Sequence, residues 1–367
     1  MTAVLFHFKL RYKTLFEKLM GSRNNSFDLI RHFAALLVLF SHHFALSNLA
    51  EPTFLHWDTF GFVAVVIFFA ISGYFMPASF TNSGNFAVFM AKRCRRIFPG
   101  LMVCSLIMVY LIGSIFTSSP TSNYLFSLST LKTSIMYSSF MAKPIPGVFS
   151  DFLCKDVING SLWTLPVEFA SYIIIGVVLS YINSWKSILP LLLSCIVITM
   201  ILTKTGKNYG FYSIPLNYLA LFGIAFSGGA LMSMTKDYWY ANRIYLAIAA
   251  IVLLTVLQRR PEMQVLGTLS LAALTIIVGI SFQEKWINGK FDISYGIYIY
   301  AFPIQQLVIN LITSSFWLSM VIATLFTLLV AYLSYRFVEK PFLYANTHRQ
   351  PADQLKVIEF SASASVH

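Results

Sequence analysis

Along this chain, runs of about twenty apolar residues alternate with short polar stretches. A helix rises about 1.5 Å per residue, so a run of that length crosses a hydrocarbon core roughly 30 Å thick. Ten runs predict ten helical spans: 30–49, 61–78, 97–117, 162–182, 188–203, 212–232, 244–258, 263–282, 292–312 and 315–335. The fifth and seventh are the shortest. The ninth is unusual, because Ser294, Tyr295, Tyr298, Tyr300, Gln305 and Gln306 crowd it around Pro303. Polar residues at that density predict a helix that lines a cavity.

Fifty-seven percent of the 367 residues are apolar and 11% are charged. So little polar surface excludes a soluble domain and predicts an all-α, polytopic integral membrane protein. With the N-terminus inside, 18 of the 26 Lys and Arg residues fall in cytoplasmic segments, so both termini are expected in the cytoplasm. The net charge of +12 then serves topology and an anionic inner leaflet, with no nucleic-acid partner needed. Three segments follow: an amphipathic stretch at 1–25, a membrane domain at 26–343 and a polar tail at 344–367. In the first, Leu5, Phe8, Tyr12, Leu15, Phe16 and Leu19 repeat at helical spacing among Lys9, Arg11, Lys13 and Lys18, which predicts a helix lying on the inner membrane surface. Its basic residues follow the short apolar run instead of preceding it, unlike a secretory signal. Four scattered cysteines form no C-x-x-C pair, and no metal site is expected.

Candidate chemistry lies in three places. Arg31 and His42 share the first span. Eleven positions at about 100° each return a helix to within about 20° of its starting face, so the pair shares one stripe about 16 Å long. Ionisable groups on a membrane-buried face usually mark a reaction site or pathway. Arg31 sits at the cytoplasmic mouth, where it would also be suited to snorkelling, and His42 lies deep enough to act as a base. His43 points about 100° away and is the weaker candidate. Second, Arg93 and Arg96 are three apart at the start of the third span, which places two guanidinium groups on one face for phosphate, although any cytoplasmic loop gathers such charges for topology. Third, Glu168 in NGSLWTLPVEFASY lies roughly 9 Å below the outer surface, against roughly 12 Å for His42. At similar depth a carboxylate can orient an imidazole and stabilise its protonated form.

These fragments resemble, in order, the acyltransferase 3 family of membrane O-acyltransferases that modify bacterial surface and secreted glycans. FDLIRHFAALLVLFSHH carries an opening Asp-x-x-Arg and the Arg-ten-residues-His pattern on Asp28, Arg31 and His42; FFAISGYFM carries the Phe-Phe-x-x-Ser-Gly element with Ser72. RCRRIFP carries Arg-x-x-Arg on Arg93 and Arg96, SLWTLPVE ends at Glu168, and SYRFVEKPF matches a closing Arg-Phe-x-Glu-x-Pro signature. One element departs: where many members have Tyr-Leu-Trp-His-x-Pro, this chain has Tyr298, Ile299, Tyr300, Ala301, Phe302 and Pro303. Any role for that histidine is absent, and the burden falls on His42. A short polar tail after Pro341 is expected in place of the esterase-like domain some relatives carry.

The resemblance implies acetyl-CoA as donor substrate and a sugar hydroxyl of a glycan or lipid-linked glycan as acceptor, in the bacterial inner membrane. Its flavour is similar to the O-acetyltransferases of O-antigen and of nodulation factors, with exopolysaccharide also open. On that basis Arg93 and Arg96, helped by Arg31, are expected to hold the coenzyme phosphates. His42 would act as general base or carry the acetyl group, with Glu168 as its orienting partner and Asp28, Ser72 and Tyr298 in support. A transporter or flippase would also explain many spans and buried charge, but it predicts no need for acetyl-CoA and no match to five acyltransferase elements. A non-catalytic partner in a glycan-assembly complex would tolerate the loss of His42.

Overall fold

The computed structural model describes residues 25–284, 286–287 and 291–344. The expected amphipathic segment up to residue 24, Lys285, Lys290 and the tail from residue 345 lie outside them. Eleven principal helices carry the fold: α1 (Phe27–Leu46), α2 (Phe60–Thr81), α3 (Phe86–Leu106), α4 (Leu128–Ser138), α5 (Leu165–Tyr181), α6 (Trp185–Thr205), α7 (Leu216–Met234), α8 (Arg243–Val256), α9 (Thr268–Ser281), α10 (Ser294–Leu311) and α11 (Phe316–Ser334). Two short hairpins, β1–β2 (Thr53–Phe54 with Asp58–Thr59) and β3–β4 (Gly210–Phe211 with Ile214–Pro215), precede α2 and α7. The protein is therefore an all-α, multi-pass membrane protein.

Nine helices among the described residues are long and apolar enough to cross a membrane. The tenth expected span is α10, eighteen residues long, which its tyrosines and glutamines make too polar to meet that measure. Its tyrosines at 298 and 300 and both glutamines are buried against protein, which is what permits this polarity at membrane depth. Burial also separates inner from outer helices: 72% of the α2 window is enclosed, against 17% for the span containing α8. The close approach of α2 to α7 depends on glycine. A Cβ on Gly73 would lie 1.9 Å from the Phe226 carbonyl oxygen, and one on Gly229 would lie 2.2 Å from that of Ala70. Small residues bring the two backbones together, as in other membrane helix pairs.

The largest difference from expectation is α3, which begins at Phe86 instead of residue 97. Asn85 caps it by accepting from the Val88 amide at 2.9 Å, and the Ala-Lys-Arg stretch that follows is made of good helix formers. With a π turn at Ile107–Ile112 the helix continues to Ile115, 30 residues in all, or about 45 Å, longer than the hydrocarbon core. Its first three turns therefore carry Lys92, Arg93, Arg95 and Arg96 as part of the helix. At the other end of the chain, α11 continues through a π turn (Tyr335–Glu339) to Tyr344, so the SYRFVEKPF signature is helical and packs against α3. The stretch 118–160 folds onto the bundle through buried Tyr137, Val148, Phe149 and Ile158.

Candidate active site

Four helix ends converge on the arginine-rich end of the bundle: the starts of α1, α3 and α10 and the extension of α11. Between them opens a cavity of about 330 Å³ lined by Arg31, Lys92, Arg93, Arg95 and Arg96, and deeper by Ser72, Thr164, Glu168, Tyr172 and Tyr298. Its lining runs along α2 from Met76 to Val65, a depth of about 16 Å for eleven helical residues.

The arginines in this cavity are not equivalent. Asp292, just before α10, pairs with Arg96 at 2.5 Å and with Arg31 at 3.9 Å. Burial works against the Asp292 carboxylate, yet Arg96 and Arg31, aided by the Ser294 hydroxyl, hold its pKa below the usual carboxylate range. Among the described residues, no carboxylate lies at ion-pair distance from Arg93. Its Nη2 donates to the Ser79 hydroxyl at 3.2 Å, the guanidinium lies over the rings of Phe89 and Tyr172, and its buried Nε has no acceptor among the described residues. Arg93 is thus the cation best placed to gain from an incoming anion, because a buried donor without an acceptor is costly.

Glu168 accepts hydrogen bonds from the Ser72 hydroxyl at 3.0 Å and from the Tyr172 hydroxyl. The expected pairing of Glu168 with His42 is not formed. A 3-10 turn at Ser161–Thr164 precedes α5 and places Ser161 beside the imidazole, with Ser161 Oγ 3.3 Å from His42 Nδ1. Glu168 follows almost two turns later and faces the arginine-lined cavity. Seven residues beyond Ser161, Glu168 lies roughly 10 Å further along the helix than the imidazole, so the two side chains do not share a depth.

His42 lines a second cavity, about 180 Å³, with Glu51, Asp58, Thr59, Trp163, Thr164, Tyr218 and Tyr298. Its ring meets Phe302 edge-on at 5.4 Å, and only Nδ1 is hydrogen-bonded among the described residues. When Nδ1–H donates to Ser161, Nε2 keeps its lone pair and can accept a proton. In the lining of this cavity Asp58 is pushed above the usual carboxylate range, first by burial and also by Glu51 nearby.

The two cavities lie end to end along α2 and share Val65, Thr164 and Tyr298 as a common wall. The Tyr298 hydroxyl donates to the Ser161 carbonyl at 2.8 Å and so can only accept from Thr164. Tyr298 therefore connects the His42 support to the floor of the arginine-lined cavity. Arg31 and His42 lie on one face of α1 as expected, but each faces its own cavity.

The remaining histidines of α1 are structural joints. Gln305 Nε2 donates to His43 Nδ1 at 3.1 Å, which leaves Nε2–H of His43 to donate to Ser319 Oγ at 2.9 Å and to the Phe316 carbonyl. The Ile293 amide donates to His32 Nε2, so His32 Nδ1–H donates to the Asp28 carbonyl at 2.7 Å. Asp28 itself occupies the first turn of α1, where a carboxylate suits the helix dipole, and lines neither cavity. The residues missed by sequence reasoning are Asp292, Ser161, Tyr172 and the pair Glu51 and Asp58. Asp292 had a usable sign, an acid beside the polar ninth span on an otherwise basic face.

The family model described as an acyltransferase domain matches residues 24–336. The chain belongs to this acyltransferase family. Two curated proteins are similar to it over nearly their whole lengths. An "O-acetyl transferase" of Shigella phage Sf6 is 35% identical across 90% of this chain and 99% of its own. "Nodulation protein 10" of Rhizobium leguminosarum bv. viciae is 26% identical across 90% of this chain and 96% of its own. No solved structure matches. This membrane acyltransferase thus carries all its candidate groups inside the matched span, with Arg31, His42, Ser72, Arg93, Arg96, Glu168 and Tyr298 distributed over the two adjoining cavities.

Proposed function

We propose that this acyltransferase moves an acetyl group from acetyl-CoA, bound at the arginine-rich end, to a sugar hydroxyl presented at the His42 end. The observation that carries the proposal is the pair of cavities meeting at Val65, Thr164 and Tyr298. One is cationic and suits the phosphates of a coenzyme, with the slender acyl-bearing arm directed toward the common wall. The other holds an imidazole with a free nitrogen. The relatives named an O-acetyl transferase and a nodulation protein support a bacterial surface or secreted glycan as acceptor: O-antigen, exopolysaccharide or lipo-chitooligosaccharide. The basic end faces the cytoplasm, where acetyl-CoA is made, and the membrane is the bacterial inner membrane.

In this scheme His42 Nε2 takes the proton of the acceptor hydroxyl as its oxygen attacks the thioester carbonyl. The C–S bond then breaks, and the imidazolium returns the proton to the departing thiolate, leaving coenzyme A thiol and acetyl ester. Ser161 holds the ring through Nδ1. Glu168, Ser72 and Tyr172 line the approach and form a polar network at the deep end of the donor cavity. The test uses the full chain in vesicles containing glycan from the producing strain and labelled acetyl-CoA. The wild type should transfer label to glycan, and His42→Ala should insert normally yet lose transfer. Undiminished transfer by that variant would remove the scheme.

A further inference from the structure

Polarity divides the two cavities more sharply than any acyl-transfer scheme requires. Five basic side chains line the arginine-rich one, whereas the lining of the His42 cavity contains no Lys or Arg and two carboxylates, Glu51 and Asp58. We propose that the His42 cavity seats one uncharged sugar ring, with Glu51 and Asp58 accepting its hydroxyls and Trp163 and Tyr218 packing on its carbon face, and that it excludes acidic sugars. This rests on His42 being the centre of acetyl transfer and names the acceptor's chemistry more narrowly.

Four observations converge. First, neither carboxylate is used up by neighbours. The Ser41 hydroxyl donates to Glu51, and Thr59 N donates to Asp58 at 2.7 Å, with the Gln264 side chain also in reach. A carboxylate has about four acceptor sites, so each retains some for a ligand hydroxyl, and such charge-assisted bonds are the stronger kind. Second, Trp163 meets Tyr218 at 4.7 Å between ring centres, and Tyr218 stacks on Phe222 at 5.7 Å with 23° between planes. These rings build an apolar wall on the cavity, and Trp163 keeps 38% of its surface exposed; aromatic faces carry the negative side of a quadrupole and attract the C–H edges of a pyranose. Third, 180 Å³ is room for about six waters at roughly 30 Å³ each, the scale of one ring, so the rest of a glycan must lie outside. Fourth, a uronate in this space would place its own carboxylate against Glu51 and Asp58 with no cation to offset it, and like charges so close discriminate against the wrong ligand.

The test measures binding to the full chain in nanodiscs by Trp fluorescence, with methyl β-glucopyranoside and methyl β-glucuronide. The two share ring and linkage and differ by one carboxylate. The glucoside should half-saturate at a concentration at least about tenfold below the glucuronide, a gap of about 1.4 kcal/mol. The response should disappear in Trp163→Ala, and Glu51→Gln or Asp58→Asn should each narrow the gap. Equal or tighter binding of the glucuronide, no binding of either glycoside, or a response unchanged in Trp163→Ala would overturn the proposal. Acetyl transfer to membrane glycan, followed in the same preparation, separates the two ideas. Transfer lost by the wild type with the glucoside preference intact refutes the proposed function alone; transfer retained with the preference absent refutes the charge rule alone.

Discussion

Replacing Asp292 by Asn keeps its size and removes its charge, and the structure sets opposite expectations for stability and for donor binding. Asp292 neutralises Arg96 at 2.5 Å and Arg31 at 3.9 Å. Opposite charges about 4 Å apart attract by about 4 kcal/mol where the effective dielectric constant is about 20, before desolvation is charged against them. Breaking a fully buried pair from one side costs about 3–5 kcal/mol. Here the three side chains keep 19–24% exposure, so about 2–3 kcal/mol of stability should be lost. Under the proposed function, the same carboxylate competes with donor phosphates for two guanidinium groups. If half of the lost pairing is recovered on binding, about 1.4 kcal/mol, the donor half-saturation should fall roughly tenfold. The assay is thermal unfolding of the purified protein with and without coenzyme A, together with donor KM. The Asp292→Asn protein should melt lower alone, gain more from coenzyme A than wild type does, and show the lower KM. The pH dependence has a fixed sign. A carboxyl whose pKa is depressed by folding contributes stability that is fully present above its unfolded value of about 3.9 and is lost as pH falls below it. The wild-type advantage should therefore hold from neutral pH to about pH 5 and shrink below about pH 4. A variant that melts with the wild type and needs as much donor or more would refute the reasoning.

Arg93→Ala should raise donor KM by tenfold or more with little change in kcat at saturating donor, because Arg93 is a buried guanidinium with no ion-pair partner among the described residues; a fall in kcat alone would place it elsewhere. His43→Ala removes the joint to Gln305 and Ser319 and should cost about 2–3 kcal/mol of stability, while at low temperature it retains transfer that His42→Ala lacks. Equal loss in both would show that His43 takes part in the chemistry. Gly73→Ala forces a methyl group to within 1.9 Å of the Phe226 carbonyl oxygen, so α2 and α7 must separate at a cost of at least about 1–3 kcal/mol, seen as reduced yield and lower melting temperature. Wild-type melting would show that the backbones yield without penalty.

The spans were legible because a bilayer demands long apolar helices; the polar ninth span was read as lining a cavity, which Ser294, Tyr295 and Tyr298 do, while Tyr300, Gln305 and Gln306 are buried against protein. The early start of α3 was not legible by hydropathy, since Lys92 to Arg96 look like a loop until the Asn85 cap is recognised. Counting depth along helix axes correctly assigned Arg31 and His42 to different levels. It failed for Glu168 because the entry to α5 sits deeper than hydropathy places it: the 3-10 turn puts Ser161 beside the imidazole, which carries Glu168, seven residues on, roughly 10 Å past His42 into the arginine-lined cavity. Glu51, Asp58 and Asp292 stand in connectors, where no periodicity indicates which way a side chain points. These acids nevertheless set the character of the site. Asp292 tempers the charge of a cationic cavity, and Glu51 with Asp58 gives the opposite charge to the cavity of the imidazole. Under the proposed function, an anionic coenzyme reaching past Tyr298 would meet carboxylates, and an acidic sugar would be repelled before reaching His42. The same charge pattern that would admit each proposed substrate at its own end would thus keep it from the other, leaving only the uncharged acyl group free to cross the wall at Val65, Thr164 and Tyr298.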